Sequence, residues 1–109
     1  MWDYIPHIMR ANLLIHNKKP LSHFEFVEIR VWEITKDKNF PEGVKYSMVY
    51  IRKDKNKFNR IFGFDNEKGK GHHMHLYDKE IKIEFHSWED LLEQFYKKVE
   101  KLREDFHES

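Results

Sequence analysis

Between Asp65 and His75 the chain reads D-N-E-K-G-K-G-H-H-M-H, which gathers two of its four glycines and three of its eight histidines into eleven residues. Gly69 and Gly71, at alternate positions, let the backbone take positive φ and turn its N–H groups toward an anion, and Lys70 between them adds a mobile charge. That is the physics of a phosphate nest, although the Walker spacing is missing. If the chain runs extended after Gly71, His73 and His75 share one face and His72 and Met74 the other. Two imidazoles on one face can divide the work of phosphodiester cleavage: one takes the 2'-hydroxyl proton and the other protonates the leaving oxygen. Such chemistry needs no cofactor. The same pair with Asp65 is also a plausible ligand set for a divalent metal. In a third reading Asp65 and Asn66 cap a turn and the histidines are surface polar groups.

These residues need a frame to hold them. Ala11–His16 and Phe24 to Ile34 read as two strands, joined through the turn-like Asn17-Lys18-Lys19-Pro20. In the second, Val27, Ile29 and Val31 alternate with Glu28, Arg30 and Trp32, which suits an antiparallel sheet with one side open to solvent. Arg30, on the polar side, is a candidate phosphate ligand, with an ordinary ion pair to a glutamate as its alternative. A third strand is expected over Lys45–Arg52, a hairpin tip at Arg52–Lys57, a fourth strand over Phe58–Asp65, and a fifth over Glu80–Phe85 with Ile81, Ile83 and Phe85 facing the core. Ser87 is placed to cap a helix, Asp90 to complete a capping box, and Trp88, Leu91, Leu92, Phe95, Val99, Leu102 and Phe106 recur at helical spacing. The expected fold is α+β, an antiparallel sheet of about five strands with a long C-terminal helix packed on one face.

Composition narrows the setting. The 109 residues suit a single domain, and 39% hydrophobic with 16% aromatic content supports a packed core. With 20 basic against 19 acidic side chains there is no general basic field, so any attraction to phosphate must be local. Without cysteine there is neither a disulfide framework nor a thiolate site. A charged fraction of 36% rich in Lys and Glu is common in proteins from hot environments, a thermophile hint. Met1–His7 lacks the pattern of a signal peptide and no run is long enough to span a bilayer, so a cytoplasmic location is expected.

The order E-I-R-V-W-E at Glu28–Glu33, K-Y-S-M-V-Y-I at Lys45–Ile51, G-F-D-N-E-K-G-K-G-H-H-M-H at Gly63–His75 and the closing S-W-E-D-L-L-E-Q-F resembles the TumE family, small toxins of prokaryotic toxin–antitoxin pairs. The resemblance runs from Ala11 onward and leaves Met1–Arg10 outside. It implies a growth-inhibiting toxin with an antitoxin partner that carries a helix-turn-helix domain, and RNA cleavage follows by analogy with other small α+β toxins. The family's pattern falls on Asp65, Asn66, Gly69, Gly71, His73 and His75, with Arg30 in the preceding strand. This chain departs from it at His72, where an acidic residue is common, and at Met74, where arginine is. The leading expectation is a ribonuclease in which His73 and His75 share acid–base work, Asp65 orients a histidine, and Arg30, Asn66, Gly69, Lys70, Gly71 and His72 meet the substrate. The competing classes are a non-enzymatic module that inhibits a target through protein contacts and a metal-dependent hydrolase.

Overall fold

The computed structural model describes residues 11–108, and the reading made of Met1–His7 lies outside them. Six strands, β1 (Ala11–Ser22), β2 (Glu25–Ile34), β3 (Val44–Asp54), β4 (Lys57–Glu67), β5 (Gly71–Leu76) and β6 (Lys79–Lys82), precede one helix, α1 (Trp88–Glu108). They form one antiparallel sheet in strict sequence order, β1-β2-β3-β4-β5-β6. The expected α+β architecture is present, with six strands where five were expected.

Alternation decides which side is which. Val27, Ile29 and Val31 on β2 pair with Tyr50, Met48 and Tyr46 on β3, which continue to Phe62 and Phe64 on β4, all buried on one face. Leu91, Phe95, Val99 and Leu102 of α1 close that face, with Phe95 stacked on Phe62 at 5.8 Å between centroids. Ser87 Oγ accepts from the Asp90 amide at 3.1 Å and starts the helix. The capping box stays half made, because the Asp90 carboxylate accepts from Gln94 at 2.7 Å instead. The distal stretch to Phe106 remains on the core, and the Arg52 guanidinium lies 3.9 Å over the Phe106 ring.

One carboxylate fastens that end of the helix. Glu25, 2% exposed, accepts from the Tyr50 hydroxyl at 2.6 Å, Arg52 at 2.7 Å and Arg103 of α1 at 3.0 and 3.1 Å. Burial alone would raise its carboxyl, but the bonds from Arg103, Tyr50 and Ser22 outweigh it and hold it at about 2. Burial and the same carboxylate push the Tyr50 phenol up to about 12, so it stays a donor.

Three expectations need correction. Asn17-Lys18-Lys19-Pro20 is not a turn: β1 runs through it, and the chain reverses only at His23-Phe24. β1 is an edge strand, where a proline and outward lysines are tolerated and discourage further pairing. Most of the glycine–histidine segment is strand, with β4 running on to Glu67 and β5 starting at Gly71. Ile81 is exposed on the short edge strand β6, whereas Ile83 and Phe85 lie beyond that strand and do pack on the core.

Two local features of β4 position the site. Lys55 and Asn56, both at positive φ, make a two-residue turn that launches the strand, as the expected hairpin tip. Tyr50 then pairs with Phe62 but Ile51 with Arg60, so Ile61 is one residue too many. This bulge reverses the alternation and brings Arg60 to the side of Ile51, away from the helix.

Candidate functional site

The face turned away from α1 carries a polar row that crosses the whole sheet. The pairings His16↔Arg30, Arg30↔Ser47, Ser47↔Asp65, Asp65↔His73 and His73↔Lys82 put these side chains on one line over six strands. The next row contains Glu28, Val49, Gly63, His75 and Glu80. Gly63 cannot carry a side chain there, because a Cβ would sit 2.4 Å from the Met48 carbonyl oxygen. The resulting gap lies beside His75.

His75 is held at both ends. Its Nε2 is 3.0 Å from Asp65 Oδ1 and its Nδ1 is 3.1 Å from an Arg60 terminal nitrogen. An arginine only donates, so the arrangement that satisfies both contacts protonates Nε2 toward Asp65 and leaves Nδ1 to accept. A carboxylate–imidazole pairing of this kind can fix a ring for proton transfer, and here a cation sits on the other ring nitrogen. His73, two residues earlier on the same face, differs. It is 8% exposed, its Nδ1 is buried without a hydrogen-bond partner, and Glu80 lies 3.8 Å away, too far to bond. An unpartnered buried imidazole nitrogen is costly and uncommon in native proteins.

The sequence-predicted residues thus separate into three groups. Asp65, His73, His75 and Arg30 share the open face, as strand alternation requires, with Arg30 two strands from Asp65, ~10 Å at ordinary strand spacing. Arg30 also has the glutamate partner that was its alternative, Glu28 at 3.1 Å, which in turn meets His16 at 3.1 Å. His72 and Asn66 point to the helix side. The His72 ring stacks on Phe85 at 4.3 Å, its Nδ1 receives the Tyr46 hydroxyl at 2.7 Å, and its Nε2 meets Glu42 at 3.0 Å. Tyr46 is held protonated, its phenol pushed well up by burial and then by the charges of Asp65 and Glu42. Asn66 accepts from the Tyr46 amide at 2.9 Å and donates to the Val44 carbonyl at 2.8 Å, supplying backbone partners where β3 and β4 part. The third group is the tip: Gly69 and Gly71 have φ of +76° and +79°, and Lys70 reaches Glu67 at 3.5 Å. A Cβ at Gly71 would touch nothing, so its backbone angle, not packing, calls for glycine.

Arg60 is the residue that sequence reading missed, since simple alternation puts it on the helix side. Among the described residues, no group of three or more His, Asp or Glu side chains is arranged to hold a metal ion.

A family model described as Toxin TumE matches residues 6–103. The chain belongs to the TumE toxin family. The match begins five residues before the motif resemblance does, and it makes the protein a toxin of a toxin–antitoxin pair with an antitoxin as its partner. Neither the curated proteins nor the solved structures gave a match. Among the described residues no helix of this TumE toxin is long and apolar enough to cross a membrane.

Proposed function

We propose that this TumE toxin arrests growth by cutting RNA on the open face of its sheet, without a metal, in the cytoplasm. The observation that carries the reading is the Asp65–His75–Arg60 chain beside His73, whose Nδ1 has no hydrogen-bond partner among the described residues. An acid and a base can work on one phosphodiester only from one side of the sheet, and these two imidazoles lie one strand pleat apart, ~7 Å.

His73 removes the 2'-hydroxyl proton as that oxygen attacks phosphorus. His75, in its imidazolium form, is steadied by Asp65 at Nε2 and gives its Nδ1 proton to the departing 5' oxygen. The products are a 2',3'-cyclic phosphate and a free 5'-hydroxyl, and proton exchange with water resets both rings. Arg60 now bonds Nδ1, and an arriving phosphate draws its guanidinium away and frees that nitrogen, so the arginine has a resting and a working partner. Arg30 and Lys82, on the His73 row, extend the cationic surface to either side, and Lys70 with the glycine turn lies at the strand end where the backbone of a longer RNA would pass. Asn66 and His72 support this surface from beneath.

Charge placement favours the same face. The segment Trp88–Glu108 carries seven carboxylates against four lysines and arginines, whereas the rest of the chain carries twelve against sixteen. A polyanion is therefore disfavoured at the helix segment relative to the rest of the chain. The antitoxin, with its own helix-turn-helix domain for DNA, neutralises the toxin by covering this face.

The test replaces His73 and His75 with alanine separately and follows growth arrest and RNA integrity. Loss of both effects in either variant supports cleavage; full toxicity in both variants sinks it and leaves protein contact as the mode of inhibition. Activity that vanishes in chelator and returns with one divalent ion would replace the metal-free route with a metal-dependent one.

A further inference from the structure

We infer that the hairpin end of the open face holds an unstacked base of a single-stranded RNA in a groove walled by Phe26 and Phe58, next to the cleavage site. The inference rests on RNA being the substrate, as proposed above. Phe26 pairs with Ile51 and Ile51 with Arg60, while Phe58 precedes Arg60 by two residues, so both rings share the face of His75. Their centroids are 5.9 Å apart at 66°, and the groove beside them, about 430 Å³, is also bordered by Lys18, Pro20, Ser22, His23, Phe24 and Glu25, whose carboxylate is already bonded to Tyr50, Arg52 and Arg103.

Packing does not account for these rings. Neither belongs to the core cluster under α1, and Phe58 is 64% exposed. Cations surround the rings: Lys18 Nζ lies 4.5 Å over Phe26 and Lys53 Nζ 5.7 Å over Phe58. Lysine is depleted at the centres of protein–protein interfaces, whereas aromatic faces flanked by lysine and arginine are the usual platform for single-stranded nucleic acid. Arg60 joins the two regions, since it touches His75 and lies ~7 Å along β4 from Phe58. A phosphate at Arg60 therefore leaves a base one or two nucleotides away within reach of the groove. Double-stranded RNA, whose bases are already stacked, has nothing to place there.

The experiment uses the full chain and short fluorescent RNA oligonucleotides, with binding read by anisotropy and cleavage by gel. Phe58→Ala should weaken binding and raise KM about 10- to 100-fold with kcat little changed, and Phe58→Trp should restore both. Placing one abasic nucleotide in turn on each side of the cut should reveal a position that costs the wild type the same factor and costs Phe58→Ala nothing more. Equal binding by wild type and Phe58→Ala, or independent losses from the protein and RNA changes, would overturn the inference. Because anisotropy does not depend on cutting, a wild type that binds through Phe58 but leaves every RNA intact would remove the ribonuclease reading and keep the groove. Normal cutting by Phe58→Ala with unchanged KM would do the reverse.

Discussion

His72 and His73 are neighbours in the chain and opposites in the structure. His72 faces the helix, stacked on Phe85, with one ring nitrogen on Tyr46 and the other on Glu42. His73 lies on the opposite face, and among the described residues its buried Nδ1 has no hydrogen-bond partner, with Glu80 only at ion-pair range, 3.8 Å. On the helix side polar groups are saturated: Glu25 takes bonds from Tyr50, Arg52 and Arg103, and Asn66 serves the amide of Tyr46 and the carbonyl of Val44. A satisfied polar group rigidifies a core, and an unsatisfied one costs stability that a folding requirement alone does not explain. The two faces thus separate a histidine bonded at both ring nitrogens from one with an unbonded nitrogen within one hexapeptide strand.

Substitutions can break that division, beginning with the largest effect. Exchange of His73 or His75 for alanine should reduce RNA cleavage per folded molecule about 100- to 10,000-fold, measured by single-turnover kinetics with the folded fraction read from urea denaturation. Glu25→Gln, on the other face, should cost about 3 kcal/mol in urea denaturation because it leaves Arg52 and Arg103 without their carboxylate. Since the folded carboxyl sits at about 2, below its ordinary 4.5, its contribution is complete above about pH 4.5 and fades as pH falls toward 2. The melting temperature of the wild type should fall through that window more steeply than that of the glutamine variant. His72→Ala should lose about 2 kcal/mol, from a stacked ring and an unsatisfied Tyr46 hydroxyl, with cleavage per folded molecule unchanged. Loss of cleavage there without loss of stability would break the comparison. The smallest effect belongs to Arg60→Gln, about 10-fold in kcat/KM, and a matching loss in phosphate affinity would sharpen its role as the shared ligand.

Legibility followed local periodicity. The two faces of β2, the helix from its cap to Phe106, and the pairing of His73 with His75 all rest on a repeat of two or 3.6 residues, which short-range sterics impose. Asn17-Lys18-Lys19-Pro20 misled because its composition is that of a turn, while the context that makes it an edge strand is supplied by partners far along the chain. Arg60 was hidden for a related reason: one extra residue at Ile61 shifts the count, and nothing in F-N-R-I-F announces it. His72 and Asn66 were seen as part of the cluster, but their partners Tyr46, Glu42 and Val44 come from the start of β3 and the loop before it, twenty or more residues away. The Phe26–Phe58 groove likewise needs β1, β2 and β4 side by side with β3 and the bulge at Ile61.

The sheet is a meander in which each strand pairs with the one made just before it. Its loops are short, so pairing can advance as the chain is synthesised, with little entropy lost at each closure. Every group on the polar face is in place once Lys82 has emerged, whereas the aliphatic face stays uncovered until Arg103 can reach Glu25. A nascent chain stalled before the helix would therefore carry the polar face and its histidines on a sheet whose other side is uncovered and invites aggregation.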